Sequence, residues 1–344
     1  MTDDDADLVV AVTGPTGTFG HGLMPLLEAD PRVARVVGIA RRPFDPAARG
    51  WSKMAYRRGD VRDAAALEQA FAGADVVVHL AFSVMAAGGA GEARAVNVDG
   101  TLNALRAAAA AGARRFVYAS SVAAYGFHRD NPVGITEEWP TRPARRLRYG
   151  QDKAEIELLL AGEAAAHPEV DLYVLRPPVV VGPHTIGAKQ VVSGPLAPLA
   201  RRLGRLAVRA ARSPVPVPVP VPALPLQLVH EDDVGRALVQ CIVGAGPPGA
   251  YNIAGDGVLT GTDLARELGL WPLRVPAGLA RSTARALAAL PDLPFVPSPG
   301  WAEALTHPAI MNTTRATRDL GWRPRYTGVE ALRATLDPAG DGGG

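Results

Sequence analysis

"LVVAVTGPTGTFG", residues 8–20, decides how the rest of the chain is read. Leu8–Val12 is an unbroken aliphatic run, the pattern of a short strand buried on both faces. It stops at Thr13, and glycines follow at 14, 17 and 20 before a helical pattern that runs from about 18 to 29. A strand, a glycine turn and a helix in this order aim the free N–H groups of a helix N-terminus at an anion. Gly14 permits the tight turn, Gly17 lets the backbone approach a pyrophosphate, and Gly20 lets the helix pack on the strand. The spacing is G-x-x-G-x-x-G rather than the commoner G-x-G-x-x-G, with the same chemistry. Thr16, Thr18 and Phe19 lie between the glycines and belong to the same expected cofactor contact.

Outward from this loop, strands and helices alternate. "RVVGIA" (35–40), "MAYRRGDV" (54–61), "DVVVHLAF" (75–82) and "RRFVYASS" (114–121) read as strands, and "DLYVLRPPVVVG" (171–182) as a further strand and its exit. Helical stretches near 63–72, 93–112 and 149–166 separate them, and Gly112 supplies a C-terminal stop. This alternation implies an α/β fold, a Rossmann-like doubly wound parallel sheet whose ligands bind beyond the carboxyl ends of the strands. Arg41 and Arg42 follow the second strand, where an acidic residue would hold a ribose 2′-hydroxyl. Arginines there suit a 2′-phosphate, so NADP(H) is expected, with NAD(H) as the alternative. Asp60 and Val61 follow the third strand and are placed along the adenine edge.

The bulk properties narrow the classes. The chain has 344 residues, 48% of them hydrophobic and 20% charged, with a net charge of +2. That balance gives no field for nucleic acid. The one cysteine, Cys241, excludes an internal disulfide and reads as a core residue. His230, Glu231, Asp232 and Asp233 are consecutive and point in different directions, so no metal site is expected. The acidic start "MTDDDADLVVAV" lacks the basic region of a signal peptide, and no apolar run is long enough to span a membrane, so the cytoplasm is expected.

"RLRYGQDKAEI" (146–156) sets Tyr149 one helical turn before Lys153. Tyr-x-x-x-Lys is a short motif, but of the 36 basic residues only Lys53, Lys153 and Lys189 are lysines, which makes a chance pair uncommon. Hydride transfer makes or consumes an alkoxide-like oxygen, so a proton donor must reach that oxygen. A nearby cation favours the phenolate, and a serine can donate to the developing charge.

Together with "TGPTGTFG", the stretches "GDVRD", "VVVHLAF", "NVDGT", "VYASSVAAYG", "YGQDK", "LRPPVVVGP", "LVHEDDVGRAL", "YNIAG" and "LGWRPRY" occur in order over roughly residues 8 to 328. In this the chain resembles the extended short-chain dehydrogenase/reductase family, also called the NAD-dependent epimerase/dehydratase family. The resemblance implies that Tyr149 exchanges a proton with the substrate oxygen. It implies that Lys153 holds the nicotinamide ribose, that Ser121 (with Ser120 the weaker candidate) orients the oxygen, and that Asn97 sits behind the lysine. Leu80, Ala81, Phe82 and Pro177 join the cofactor set, and Phe82 departs from the usual alanine and narrows the pocket. Residues 1–176 become the cofactor domain and 177–335 mostly the substrate region, with 226–254 returning to the core. Helices 93–112 and 149–166 become the candidate homodimer interface.

Val179, Leu226 and Gln227 stand where nucleotide-sugar members carry polar contacts to the substrate pyrophosphate. This favours a smaller or more apolar alcohol or ketone. A redox-neutral sugar epimerase or dehydratase with tightly held NAD is the second reading, and a non-catalytic cofactor-binding sensor the third. The arginines of 201–212 read as a solvated helix face, and the alternating prolines of 214–222 as an edge strand or extended arm. His184, after the last strand exit, is a weak candidate for a substrate contact. Glu137 and Glu138 read as loop carboxylates that cap and solvate.

Overall fold

A computed structural model describes residues 7–83, 89–185, 218–222, 224–275, 278, 282 and 307–336. The strands are β1 (Leu8–Thr13), β2 (Val33–Ala40), β3 (Met54–Arg58), β4 (Val76–His79), β5 (Arg115–Ala119) and β6 (Asp171–Arg176). They continue as β7 (Val179–Val181), β8 (Pro218–Pro222), β9 (Pro225–Leu226), β10 (Leu228–His230), β11 (Gly249–Asn252), β12 (Leu259–Thr260) and β13 (Trp271–Val275). A seven-stranded sheet runs β11-β6-β5-β4-β1-β2-β3, and all its neighbours are parallel. The order reverses between β1 and β4, which opens a crevice at their carboxyl ends.

The helices are α1 (Thr18–Ala29), α2 (Ala64–Phe71), α3 (Gly89–Arg94), α4 (Gly100–Ala110), α5 (Arg148–Ala166), α6 (Glu231–Ile242), α7 (Gly261–Glu267), α8 (Thr314–Asp319) and α9 (Gly328–Leu336). On one face of the sheet Val10 and Val12 meet Leu23 and Leu27 of α1 and Leu238 and Ile242 of α6. On the other, Ala11, Val77 and Phe116 meet Leu67, Phe71, Leu105 and Leu160 of α2, α4 and α5. Both faces are covered, so the strands carry aliphatic residues at successive positions rather than alternating ones. Helices α1 and α6 approach through glycine. A Cβ on Gly22 would lie 2.2 Å from Glu231 O, and one on Gly235 would lie 2.1 Å from Gly22 O.

Three expectations change in detail. The run 171–182 is two strands, because Pro177 and Pro178 offer no N–H to a ladder. β7 then leaves the main sheet and pairs with β10. The helix expected at 93–112 begins earlier, at Gly89, and passes through a π-turn at Ala95–Asp99 before α4. Gly112 ends it with φ +73°, as its position after the Ala-rich run suggests. The strand expected through residue 82 stops at His79, leaving Leu80, Ala81 and Phe82 as the loop that enters the crevice.

The Pro-Val segment does form a strand over 218–222, pairing in parallel with β13. Prolines at 218, 220 and 222 leave N–H donors on Val219 and Val221 alone, which suits a two-stranded edge. Residues 214–217 and the arginine segment 201–212 lie outside the described residues. No described helix is long and apolar enough to cross a membrane.

Candidate active site

The crevice has two ends. At the first, Gly14 turns with φ +70°, and a Cβ there would sit 2.9 Å from Ala81 N. That glycine keeps the loop against the 80–82 segment. Gly20 is fixed by its own loop rather than by the strand, since a Cβ would lie 2.0 Å from Pro15 O. Gly17 differs from both. A Cβ there would meet only Gly14 O, at 3.4 Å. The protein itself makes little demand for glycine at 17, and the space in front of it lies at the N-terminus of α1. No acidic residue stands in the first turn of that helix. Thr16, Thr18 and Phe19 complete this rim. The geometry fits a dinucleotide pyrophosphate.

Arg41 and Arg42 are exposed at the carboxyl end of β2, with Arg57 and Arg58 closing β3 beside them. Arg58 Nε donates to Arg41 O at 3.0 Å. Asp60 is already held by Arg62, through Nε at 3.0 Å and a terminal nitrogen at 2.6 Å, which keeps its carboxyl below the ordinary range. Val61 is buried, and its methyl group lies 2.5 Å from where a Cβ on Gly100 would be.

At the second end, Lys153 on α5 is 3% exposed. Its ammonium donates to Ala119 O at 2.6 Å and to the Tyr118 hydroxyl at 3.1 Å. Burial pushes the ammonium down to about 7, while Glu157 and Asp152 pull the other way. Tyr149, one turn earlier on α5, is half-buried. Burial raises its phenol above the ordinary 10, and a hydrogen bond with Ser121 opposes that rise. Ser121 Oγ accepts from Ala123 N–H at 3.2 Å, which leaves its proton for the tyrosine oxygen. Ser121, Tyr149 and Lys153 therefore meet where β5 ends and α5 begins.

Asn97 stands one layer behind. Its amide bridges Asp152, the neighbour of Lys153, at 3.1 Å and Ser83 O at 3.1 Å, and it accepts from Ser83 N at 2.8 Å. It positions the loop and the lysine helix together. His79 links the same parts. Thr101 donates its hydroxyl proton to Asn97 O, so the imidazole Nε2–H donates to Thr101 Oγ1 at 3.1 Å. The other ring nitrogen then accepts from Thr13 at 2.9 Å, and Thr13 accepts from Ala81 N at 3.2 Å. Burial pushes His79 down to about 3, so it is neutral and this directionality is fixed.

Sequence reading missed a second buried network. Ser120 Oγ donates to Glu157, and Glu157 pairs with Arg176. Arg176 also donates to the Tyr125 hydroxyl at 2.7 Å, which donates to Asn252 Oδ1 at 2.9 Å. Its one local signal is the spacing of Tyr149, Lys153 and Glu157, four apart along one helix face. Glu137 belongs to this neighbourhood, accepting from Asn252 N at 2.8 Å. Pro177 follows Arg176 at the strand end, and its carbonyl accepts from Val122 N at 2.8 Å.

His184 bonds Glu231 through Nδ1 at 2.8 Å and stacks on His21 with ring centres 4.8 Å apart. His230 caps α6 and stacks on Tyr326, while Asp233 accepts from Arg325 N and Tyr326 N. These groups tie the returning chain to the core. Among the described residues no cluster of three or more His, Cys, Asp or Glu is placed to hold a metal.

Residues 10–254 match the model of the NAD dependent epimerase/dehydratase family. An uncharacterized protein of Mycobacterium tuberculosis is 28% identical over 330 residues, 94% of this chain and 82% of the relative. The dTDP-glucose 4,6-dehydratase of Streptomyces venezuelae, solved with NAD bound, superposes with a TM-score of 0.69 at 21% identity, over 97% of this chain and 98% of that one. The Thermotoga maritima UDP-glucose 4-epimerase, solved with UDP-glucose, gives 0.70 at 20% identity, over 96% and 97%. At such identities the two structures share the fold. The family match over most of the chain, carried on this sheet and this glycine loop, makes the protein an enzyme of the NAD-dependent epimerase/dehydratase family, the extended type of short-chain dehydrogenase/reductase.

Proposed function

We propose that the enzyme interconverts an alcohol and a ketone by hydride exchange with NAD(P), using Tyr149 as acid and base. The observation that carries this reading is the meeting of Ser121, Tyr149 and Lys153 at one strand end. The nicotinamide supplies or takes the hydride when bound. Tyr149 gives its phenolic proton to the substrate oxygen in reduction and removes it in oxidation. Ser121 donates a hydrogen bond that favours the phenolate. Lys153 sets the local charge and, with the 80–82 segment, holds the nicotinamide ribose. Gly14, Gly17 and Gly20 shape the pyrophosphate end. Arg41 and Arg42 would take a 2′-phosphate, supporting NADP(H) over NAD(H), and the ionised Asp60 is already paired with Arg62.

A small or apolar substrate is supported by the side chains at 179, 226 and 227. Val179 is 56% exposed, and Leu226 is half-buried. The Gln227 amide is spent on Met311, donating to its carbonyl at 3.1 Å and accepting from its N–H at 2.8 Å. The second reading, a redox-neutral epimerase or dehydratase on a nucleotide sugar, is favoured by the activities named for the two fold neighbours. A homodimer through the paired faces of α4 and α5 is compatible with either.

Chromatography of nucleotide released on denaturation separates the two. Stoichiometric NAD supports the redox-neutral cycle. An empty protein that binds added NADPH more tightly than NADH supports the exchangeable reductase. In both, Tyr149→Phe should lower turnover by about a hundredfold to ten-thousandfold while leaving cofactor affinity unchanged. Unchanged turnover would remove Tyr149 from the chemistry.

A further inference from the structure

The Lys153 ammonium has three N–H groups. Ala119 O and the Tyr118 hydroxyl take two of them. Beside these two acceptors, Nζ lies 3.9 Å from the centre of the Phe82 ring, nearer than to the rings of Tyr118 at 4.7 Å or Tyr149 at 5.9 Å. The Phe82 ring stands edge-on to Tyr149, with centres 5.4 Å apart and planes at 81°. One side chain thus touches both groups assigned to the chemistry.

The backbone around Phe82 is held from both sides. Leu80 N donates to Thr13 O at 3.1 Å, Ala81 N to Thr13 Oγ1 at 3.2 Å, and Ser83 N to Asn97 Oδ1 at 2.8 Å. The ring's own torsions are the freedom that remains. Phe82 is half-buried, so the ring has an open side to turn toward.

We propose that Phe82 sets cofactor affinity by competing for Lys153: its ring occupies the donor direction that a ribose hydroxyl would use, and binding exchanges the cation–ring contact for an N–H···O bond. The inference rests on the reading that Lys153 holds the ribose. A cation over an aromatic face within about 6 Å is a real attraction, strongest where water is excluded, as it is around this nearly buried ammonium. The same ring packs edge-on against Tyr149, so a change of its torsions would be felt at both side chains. The ring contact on the lysine would thus give way to the ribose on binding.

The test is fluorescence titration of NADPH and NADH against the full-length protein and its variants. Phe82→Leu keeps apolar bulk and removes the ring, and Phe82→Ala removes both. Each should bind the preferred cofactor roughly threefold to thirtyfold more tightly than the wild type. In a Lys153→Met background the gain from Phe82→Leu should vanish. Binding by Phe82→Leu that is unchanged or weaker overturns the proposal, as does a gain that survives without the lysine. If Lys153→Met alone binds like the wild type, the ribose role of Lys153 falls, and this proposal falls with it. Loss of binding in Lys153→Met with a neutral Phe82→Leu refutes the proposal alone. Phe82→Leu carries the test should Phe82→Ala fail to fold.

Discussion

The two ends of the crevice are built on opposite physical principles. The glycine-loop end, residues 14–20, contains no ionisable side chain and offers a ligand only backbone groups and the space left by absent Cβ atoms. The Lys153 end is built from buried side chains, with Lys153, Asp152, Glu157 and Arg176 all under 9% exposed. Backbone dipoles are fixed by the fold and indifferent to pH. Buried charges are costly alone and depend on each partner. The first end should therefore fail by steric contact and the second by loss of a partner or a proton.

The largest expected effect comes from breaking the buried pair. Glu157→Gln leaves Arg176 buried without its carboxylate, and the fold should lose roughly 3–5 kcal/mol, measured by denaturant unfolding. It also removes a charge that holds Lys153 protonated. A loss below about 1 kcal/mol would mean that water reaches Arg176.

Lys153 makes the second end titrate. Below about 7 the ammonium is charged in both folded and unfolded chains, and its burial cost is fully present. Above the ordinary value of 10.5 it is neutral in both. Between these limits the unfolded chain binds more protons, so the stability contribution of this group rises with pH. The slope is at most one proton, about 1.4 kcal/mol per pH unit. Comparing the pH dependence of unfolding for the wild type and Lys153→Met should show that rise removed. Parallel curves would mean that the lysine is hydrated.

Gly17→Ala probes the first end. It should leave melting nearly unchanged, because the new methyl group meets only Gly14 O at 3.4 Å. Cofactor affinity should drop by about tenfold or more, equally at pH 6 and pH 8, as the methyl group intrudes on the phosphate space. A large fall in melting temperature would show that the loop itself needs the glycine.

The smallest effect lies on the outer face of α5. Arg94 pairs with Glu155 at 2.6 Å, but both side chains are well exposed, at 47% and 38%. Arg94→Ala should cost less than about 1 kcal/mol, measured in the same unfolding experiment. Similar losses for Arg94→Ala and Glu157→Gln would erase the distinction between exposed and buried pairs along one helix.

Much of this was legible in local pattern. The aliphatic run 8–12, the glycines at 14, 17 and 20, and the four-residue spacing of Tyr149 and Lys153 each reflect one element's own period or turn, which neighbouring residues carry. Ser121 was named through the family resemblance, and its place just past the end of β5 brings it beside α5. The break at Pro177–Pro178 was written in the chain as well, as two missing donors.

Sequence by itself thus carried the doubly wound sheet, the glycine turn and the one-turn spacing of Tyr149 and Lys153, because these follow from periodicity and backbone stereochemistry. Only the tertiary structure decided what surrounds them. Arg176 reaches Tyr125 across 51 positions, Tyr125 reaches Asn252 across 127, and Asn97 reaches Asp152 across 55. Phe82 covers Lys153 from another strand end altogether. Such contacts leave no local period, because they are set by how the sheet stacks distant segments together. Burial then gives these polar groups their energetic weight.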